Sequence, residues 1–198
     1  MTTSETLFDK KCQIRWQIQE NPSSLHSSLP EKTPDRIISV RMVVKLNTTS
    51  SPIHKRDLMI RLTDDSNYFF LYTAVIGEED FSILKSQQCL NVDFNQFPES
   101  FISLLSACEQ PTNHHLSSSN YLLTLGSGSG SCGQADLKII ETSTFRQTVH
   151  LSLKFIQGDD SDVKDYLAEC LGIYKERYSA FEYKCENYSD LSNRVDPC

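Results

Sequence analysis

The clearest pattern in the chain is a two-residue alternation. Val40, Met42, Val44 and Leu46 alternate with Ser39, Arg41, Val43 and Lys45, as a strand with one buried face requires. Leu58, Ile60 and Leu62 repeat it. The run FFLYTAVI, from Phe69 to Ile76, is apolar on both faces and rich in β-formers, which predicts a central strand. Between these two runs lies Asp64-Asp65-Ser66-Asn67, whose short side chains hydrogen-bond their own backbone in turns. YLLTL (121–125), ADLKII (135–140) and TVHLSLKFI (148–156) predict three further strands. In the last of them Val149, Leu151, Leu153 and Phe155 alternate with mostly polar partners. Upstream, CQIRWQI, from Cys12 to Ile18, alternates as one edge strand with Trp16 as its docking group.

The period changes after Gly77. Glu78, Glu79 and Asp80 set negative charge against the positive end of a helix, and Phe81, Leu84 and Gln88 share one face of it. LNVDF, from Leu90 to Phe94, predicts a short strand. Pro98 then sits near the start of a second helix, where its missing N–H costs little. Phe101, Ile102, Leu104, Leu105 and Cys108 give that helix its apolar face. From Asp160 onward the pattern is one long helix with an acidic first turn, DDSDVKD. Leu167, Leu171, Tyr174, Tyr178, Phe181, Cys185 and Tyr188 are spaced 4, 3, 4, 3, 4, 3, an unbroken a/d seam. Two readings fit it: the start of a parallel coiled coil, or an amphipathic helix lying on its own sheet. The seam is aromatic and ends before Pro197.

These elements divide the 198 residues into three parts. Residues 1–35 form a polar, flexible N-terminal segment, since NPSSLHSSLPEKTP offers too little apolar surface to offset ordering entropy. Residues 36–158 form the globular head, and 159–198 the helical coiled-coil start with a frayed C-terminus. The head mixes sheet with a helical insertion, which makes the class α+β. The Gly-Ser repeat GSGSGSCG, from Gly126 to Gly133, reads as a flexible linker between two strands, either a natural variable loop or an engineered replacement.

Composition narrows the function by exclusion. A net charge of −7 and a pI near 5.2 argue against nucleic acid as a partner, because phosphate binding needs clustered Lys and Arg. The seven cysteines are odd in number, scattered, and lack zinc spacing, which points to free cytosolic thiols and no metal. The N-terminus lacks the apolar core of a signal peptide, and no apolar run approaches the roughly 18 to 20 residues that span a bilayer. The glycosylation triplets at Asn47 and Asn187 are then chance matches.

Candidate chemistry does not assemble either. His114-His115 lies in a polar loop with only serines nearby. Asp64-Asp65 is better explained as a turn than as a metal pair, and Glu78-Glu79-Asp80 as helix-start charge than as an acid/base dyad. His54-Lys55-Arg56 is too small a basic cluster for nucleic acid. There is no phosphate-binding glycine loop and no nucleophile elbow, so the chain nominates no catalytic residue, small-molecule substrate or cofactor. Phe145 stands apart, a large apolar group between Thr144 and Arg146 in the polar loop ETSTFRQT. It either folds back onto its own core or plugs a pocket on a partner.

KRDLMIRLTDD, FFLY, IGEEDFSILKSQQ, VDFNQFPESFISLL, IIETSTFRQTVHLSLKFIQGDD and VKDYLAECL follow one another from about Ser39 to Leu171. Together they resemble the spindle assembly abnormal protein 6 family of centriolar cartwheel proteins. The resemblance implies a β-sandwich or barrel head carrying a helical hairpin, a fold shared with end-joining repair scaffolds, followed by a dimeric coiled coil. It implies a structural scaffold that self-assembles through head-to-head and coiled-coil contacts into the ninefold cartwheel and templates centriole assembly. Its partners would be itself and other centriolar scaffold proteins, and its place the centrosome within the cytoplasmic cytoskeleton. Phe145 looks like the family's head-to-head plug, and Phe101, Leu104 and Leu105 are candidates for the pocket that receives it. The alternative is an interaction module of the same fold that builds no ring, such as a repair scaffold or a short paralogue at another cytoskeletal structure. The N-terminal segment and the short helix depart from the family's pattern.

Overall fold

The computed structural model describes residues 2–17, 36–50, 54–109, 120–127 and 133–193. His114, His115 and most of the Gly-Ser repeat lie outside them. The chain divides into two compact units, Met1–Gln157 and Gly158–Cys198.

The first unit is a closed barrel of seven strands. They are β1 (Thr2–Gln17), β2 (Arg36–Thr49), β3 (Lys55–Thr63), β4 (Leu71–Gly77), β5 (Asn120–Ser127), β6 (Gln134–Thr142) and β7 (Gln147–Gln157). Around the barrel the order is β1-β2-β3-β4-β7-β6-β5, antiparallel except where β5 returns to β1 through the parallel pairs Arg15 to Thr124, Trp16 to Leu125 and Gln17 to Gly126. Alternation drives this closure. Val40, Met42 and Val44 of β2 meet Leu58, Ile60 and Leu62 of β3 inside the wall, all fully buried. Leu137, Leu153 and Phe155 fill the opposite side. Closing the sheet on itself leaves few exposed strand edges, the usual hazard of antiparallel folds.

Helices α1 (Glu78–Gln88) and α2 (Phe97–Cys108) are inserted between β4 and β5. α1 ends at Cys89, whose left-handed backbone (φ 53°) turns the chain and lets its N–H reach the Lys85 carbonyl. An aromatic column follows: Phe81 against Phe97 at 4.8 Å, Phe81 against Phe94 at 5.7 Å, and Phe97 stacked on Phe101 at 6.0 Å. Arg56 of β3 fixes the insertion to the barrel by pairing with Glu78 at 3.0 Å, donating to Asn95 and lying 5.4 Å from the Phe94 ring.

The barrel wall is thinnest between β4 and β7, which pair only through Tyr72 to Gln157 and Thr73 to Ile156. Beyond that seam, α1 supplies a substitute for a strand. The Gln88 amide donates to the Ser152 carbonyl at 2.7 Å, and the Ser152 N–H donates back to the Gln88 amide oxygen at 2.8 Å. One side chain thus satisfies both backbone groups of a part-buried residue, as burial demands. Nearby chemistry is quiet: the Cys12 thiol lies 3.9 Å from Glu109. Burial, then the Glu109 charge, pushes Cys12 up to about 12 and Cys108 up to about 11.

The structure corrects several expectations. The first half of the supposed flexible segment is β1, a full wall strand paired along its length with β2 and also with β5, not an edge. Phe8, Cys12 and Ile14 face inward there, and Asp9 forms a bidentate pair with Arg41 of β2 at 2.7 Å on the outside. Leu90–Phe94 is not a strand. Its apolar residues pack against the core from a turn, and the Gln96 and Phe97 N–H groups bond the Asp93 carbonyl to start α2. The FFLYTAVI run becomes a shorter strand, because Phe69 lies in a turn built on Asp64 and Asn67, and Val75 faces outward. Val149 also faces outward, because the β6–β7 register shifts by one residue at His150.

Candidate functional site

Two features present apolar surface with nothing of their own to cover it. The first is the tip between β6 and β7. Thr142 pairs with Gln147, and Ser143 closes the turn above them. Its N–H and hydroxyl both donate to the Arg146 carbonyl at 3.0 Å, while the Arg146 N–H donates to the Ser143 hydroxyl oxygen at 3.3 Å. Thr144 and Phe145 are left at the apex, and Phe145 is 98% exposed. Three hydrogen bonds across four residues hold the ring out in solvent. Of the two readings open in the sequence, the fold-back onto its own core does not occur. Leaving a phenylalanine in water forfeits about 2 kcal/mol of available burial energy, which a partner surface recovers.

The second feature is α3 (Asp160–Asn193) in the second unit. Asp159 and Asp162 start it by a reciprocal capping box: the Asp162 N–H donates to the Asp159 carboxylate at 2.9 Å, and the Asp159 N–H donates to Asp162 at 3.0 Å. The sequence shows this only as an acidic first turn. The helix carries the predicted seam as an exposed stripe: Leu167, Leu171, Tyr174, Tyr178 and Phe181 are 39% to 71% exposed, and Cys185 is also exposed. Tyr188 lies within α3, but its side chain is outside the described residues. A stripe of this size has no cover within its own helix, and a second helix in parallel register would bury it.

The pocket candidates fare differently. Phe101 and Leu105 are each 1% exposed, because the apolar face of α2 is turned into the barrel's own core. They cannot receive a partner's ring without unfolding the insertion. Leu104 is half-buried on the flank of α2 and remains accessible.

Among the described residues no group of three or more histidine, cysteine, aspartate or glutamate side chains could hold a metal ion. No helix among them is long and apolar enough to cross a membrane.

Comparison with known proteins places this geometry. The family described as the centriolar protein SAS N-terminal domain matches residues 6–155. The spindle assembly abnormal protein 6 homolog of Xenopus laevis is 43% identical over 166 residues, 81% of this chain and 24% of that protein. The chain therefore spans about a quarter of that relative's length. An N-terminal fragment of Leishmania SAS-6 with part of its coiled coil and one phenylalanine replaced by glutamate superposes with a TM-score of 0.75 at 21% identity, covering 98% of this chain and 97% of that one. A Drosophila melanogaster Sas-6 fragment with a phenylalanine replaced by aspartate, named as dimerised via the coiled-coil domain, gives 0.71 at 17% identity, covering 96% and 83%.

Proposed function

The chain belongs to the family of the centriolar protein SAS N-terminal domain, and from that premise we propose that it is a structural scaffold which self-assembles at the centriole through two separate contacts. One contact is head to head and is made by Phe145. The other is a parallel coiled coil along the α3 seam. The observation that carries this reading is the almost complete exposure of a phenylalanine on a hydrogen-bonded hairpin tip.

The mechanism is geometric. A coiled coil relates two protomers by one two-fold axis, and a mutual Phe145 contact supplies a second. Two different dyads on one protomer propagate assembly, and the angle between them decides whether a ring closes or a helix winds. A ninefold cartwheel is the closed solution. The head contact is weak by design. One ring buried in a partner pocket contributes on the order of 2 to 4 kcal/mol, against several kcal/mol or more of association entropy. Weakness suits closure, because the last contact of a ring forms at high effective concentration while a misplaced one dissociates. Leu104, the accessible member of the α2 set, is the candidate for the receiving surface. Other centriolar scaffold proteins are the further partners.

Phe145→Glu tests the reading. It places a charge where the ring must enter an apolar surface, so sedimentation at high protein concentration shows the head-to-head species lost and the coiled-coil species retained. Unchanged self-association overturns the proposal.

A further inference from the structure

Along the chain, β7 joins the exposed tip to the second unit. Phe145 precedes it by two residues, and α3 begins three residues after it. On one side it pairs with β6 from Gln147 to Ile156. On the other, β4 holds it only at Gln157 and Ile156. Continuing that register would set Gly77 opposite Ser152, but β4 ends at Gly77 and the chain turns into α1. The Gln88 amide stands in for the missing peptide group. It donates to the Ser152 carbonyl at 2.7 Å and accepts from the Ser152 N–H at 2.8 Å, the pair of bonds that opposed antiparallel residues exchange.

Gln88 is itself fixed. It is the last residue of α1, and Cys89 after it takes a left-handed backbone (φ 53°), which a side-chain-bearing residue keeps only where its surroundings impose it. The Leu90 N–H donates to the Lys85 carbonyl at 3.0 Å, and the Lys85 ammonium meets the Asp93 carboxylate at 2.6 Å. On the tip side of Ser152, β7 carries the bulge at His150, and bulges add local twist. Among the described residues, no backbone pair outside β6 holds β7 between Ser152 and the tip.

We infer that Gln88 is a positioning residue for assembly: its amide sets the aim of the β6–β7 hairpin against the rest of the head, and through that aim the number of heads that close a ring. The inference rests on the plug reading. Seven residues separate Ser152 from Phe145, at most roughly 24 Å of strand. About 4 to 5° per head separates ninefold closure from eightfold or tenfold. At the end of that lever the difference is a swing of about 2 Å, well under the roughly 4.8 Å between paired strands. A hairpin paired along one edge only has room to drift that far, and the Gln88 clamp on the other edge removes the freedom.

The test uses the full chain with Gln88→Ala and Gln88→Glu, at a temperature where each is folded. N–H residual dipolar couplings, measured in a Phe145→Glu background that keeps the heads apart, report the aim of the hairpin. In the parent, residues 147–151 fit the same alignment as β2 and β3. In Gln88→Ala they depart from it, and Gln88→Glu, which still accepts from the Ser152 N–H, lies between. Electron micrographs of the chains with Phe145 intact show one curvature for the parent and a widened spread for Gln88→Ala, at a head-to-head affinity within about threefold of the parent's. A loss of global stability alone moves neither the couplings nor the curvature of folded protein. If the alanine variant does not fold, Gln88→Glu decides by the same two readouts. Unchanged hairpin couplings, or unchanged curvature, overturn this inference alone. A parent without curved assemblies, or a Phe145→Glu variant that retains them, overturns the plug reading and this inference with it.

Discussion

Replacing Gln88 with alanine probes the weakest part of the barrel wall. Gln88 is the only described bridge between α1 and the β7 backbone beyond the two-pair seam to β4, and its two hydrogen bonds to Ser152 are 2.7 and 2.8 Å long. Removing the amide leaves one N–H and one carbonyl of a part-buried residue without partners. Each such loss costs about 1 to 3 kcal/mol, so the pair costs roughly 2 to 6 kcal/mol. For a unit of this size that lowers the unfolding temperature by roughly 4 to 24 °C. Gln88→Glu gives a graded control, since a carboxylate accepts from the Ser152 N–H but cannot donate to its carbonyl. Trp16, the chain's one tryptophan, packs edge-on against Phe70 at 5.7 Å and reports barrel unfolding by its fluorescence. Urea titrations followed at Trp16, with amide exchange at Ser152, decide the matter. A Gln88→Ala stability within about 0.5 kcal/mol of the parent, with Ser152 still protected, refutes the view that α1 completes the wall.

Two further outcomes follow from the same geometry. The unfolded chain releases thiol protons near the ordinary value of 9, while folded Cys12 and Cys108 hold theirs to about 12 and 11, so their contribution is complete below about pH 9 and falls as the pH rises from there. Urea midpoints at about pH 8 and pH 10 show the decline, and replacing both cysteines with alanine flattens it; an undiminished decline in the double variant contradicts the assignment. Phe145→Glu leaves thermal unfolding at low protein concentration within about 0.5 kcal/mol of the parent, because the ring touches nothing in its own head. A large drop in stability would show that the ring has a structural role.

The parts of the fold legible in the sequence were those where one face is buried and the other wet. The alternations of β2, β3 and β6 carry through to the structure almost unshifted. β1 was only half legible, because Asp9, Lys10 and Lys11 interrupt its inward residues Phe8 and Cys12 and make a wall strand look like a polar tail. Leu90, Val92 and Phe94 imitate a strand because a turn that packs against a core also needs apolar residues at intervals. The His150 bulge has no local signature, so the outward turn of Val149 appears only once β6 is beside it. The same limit governs the site. Phe145 announces itself as an apolar residue among polar ones, whereas Phe101 and Leu105 gave no sign of whether α2 shows its apolar face to a partner or to its own barrel. The α3 seam was visible in its spacing, and its capping box was hidden in a run of acidic residues that dipole complementarity alone would explain.

The central claim is that one protomer carries two independent contacts. Sedimentation equilibrium of a variant combining Phe145→Glu with truncation after Leu171 tests it most directly, set beside each change alone. The account predicts that each single change leaves a dimer, by a different contact, and that the combined variant is a monomer at every concentration reached. A combined variant that still dimerises, or a single change that by itself yields only monomer, contradicts it.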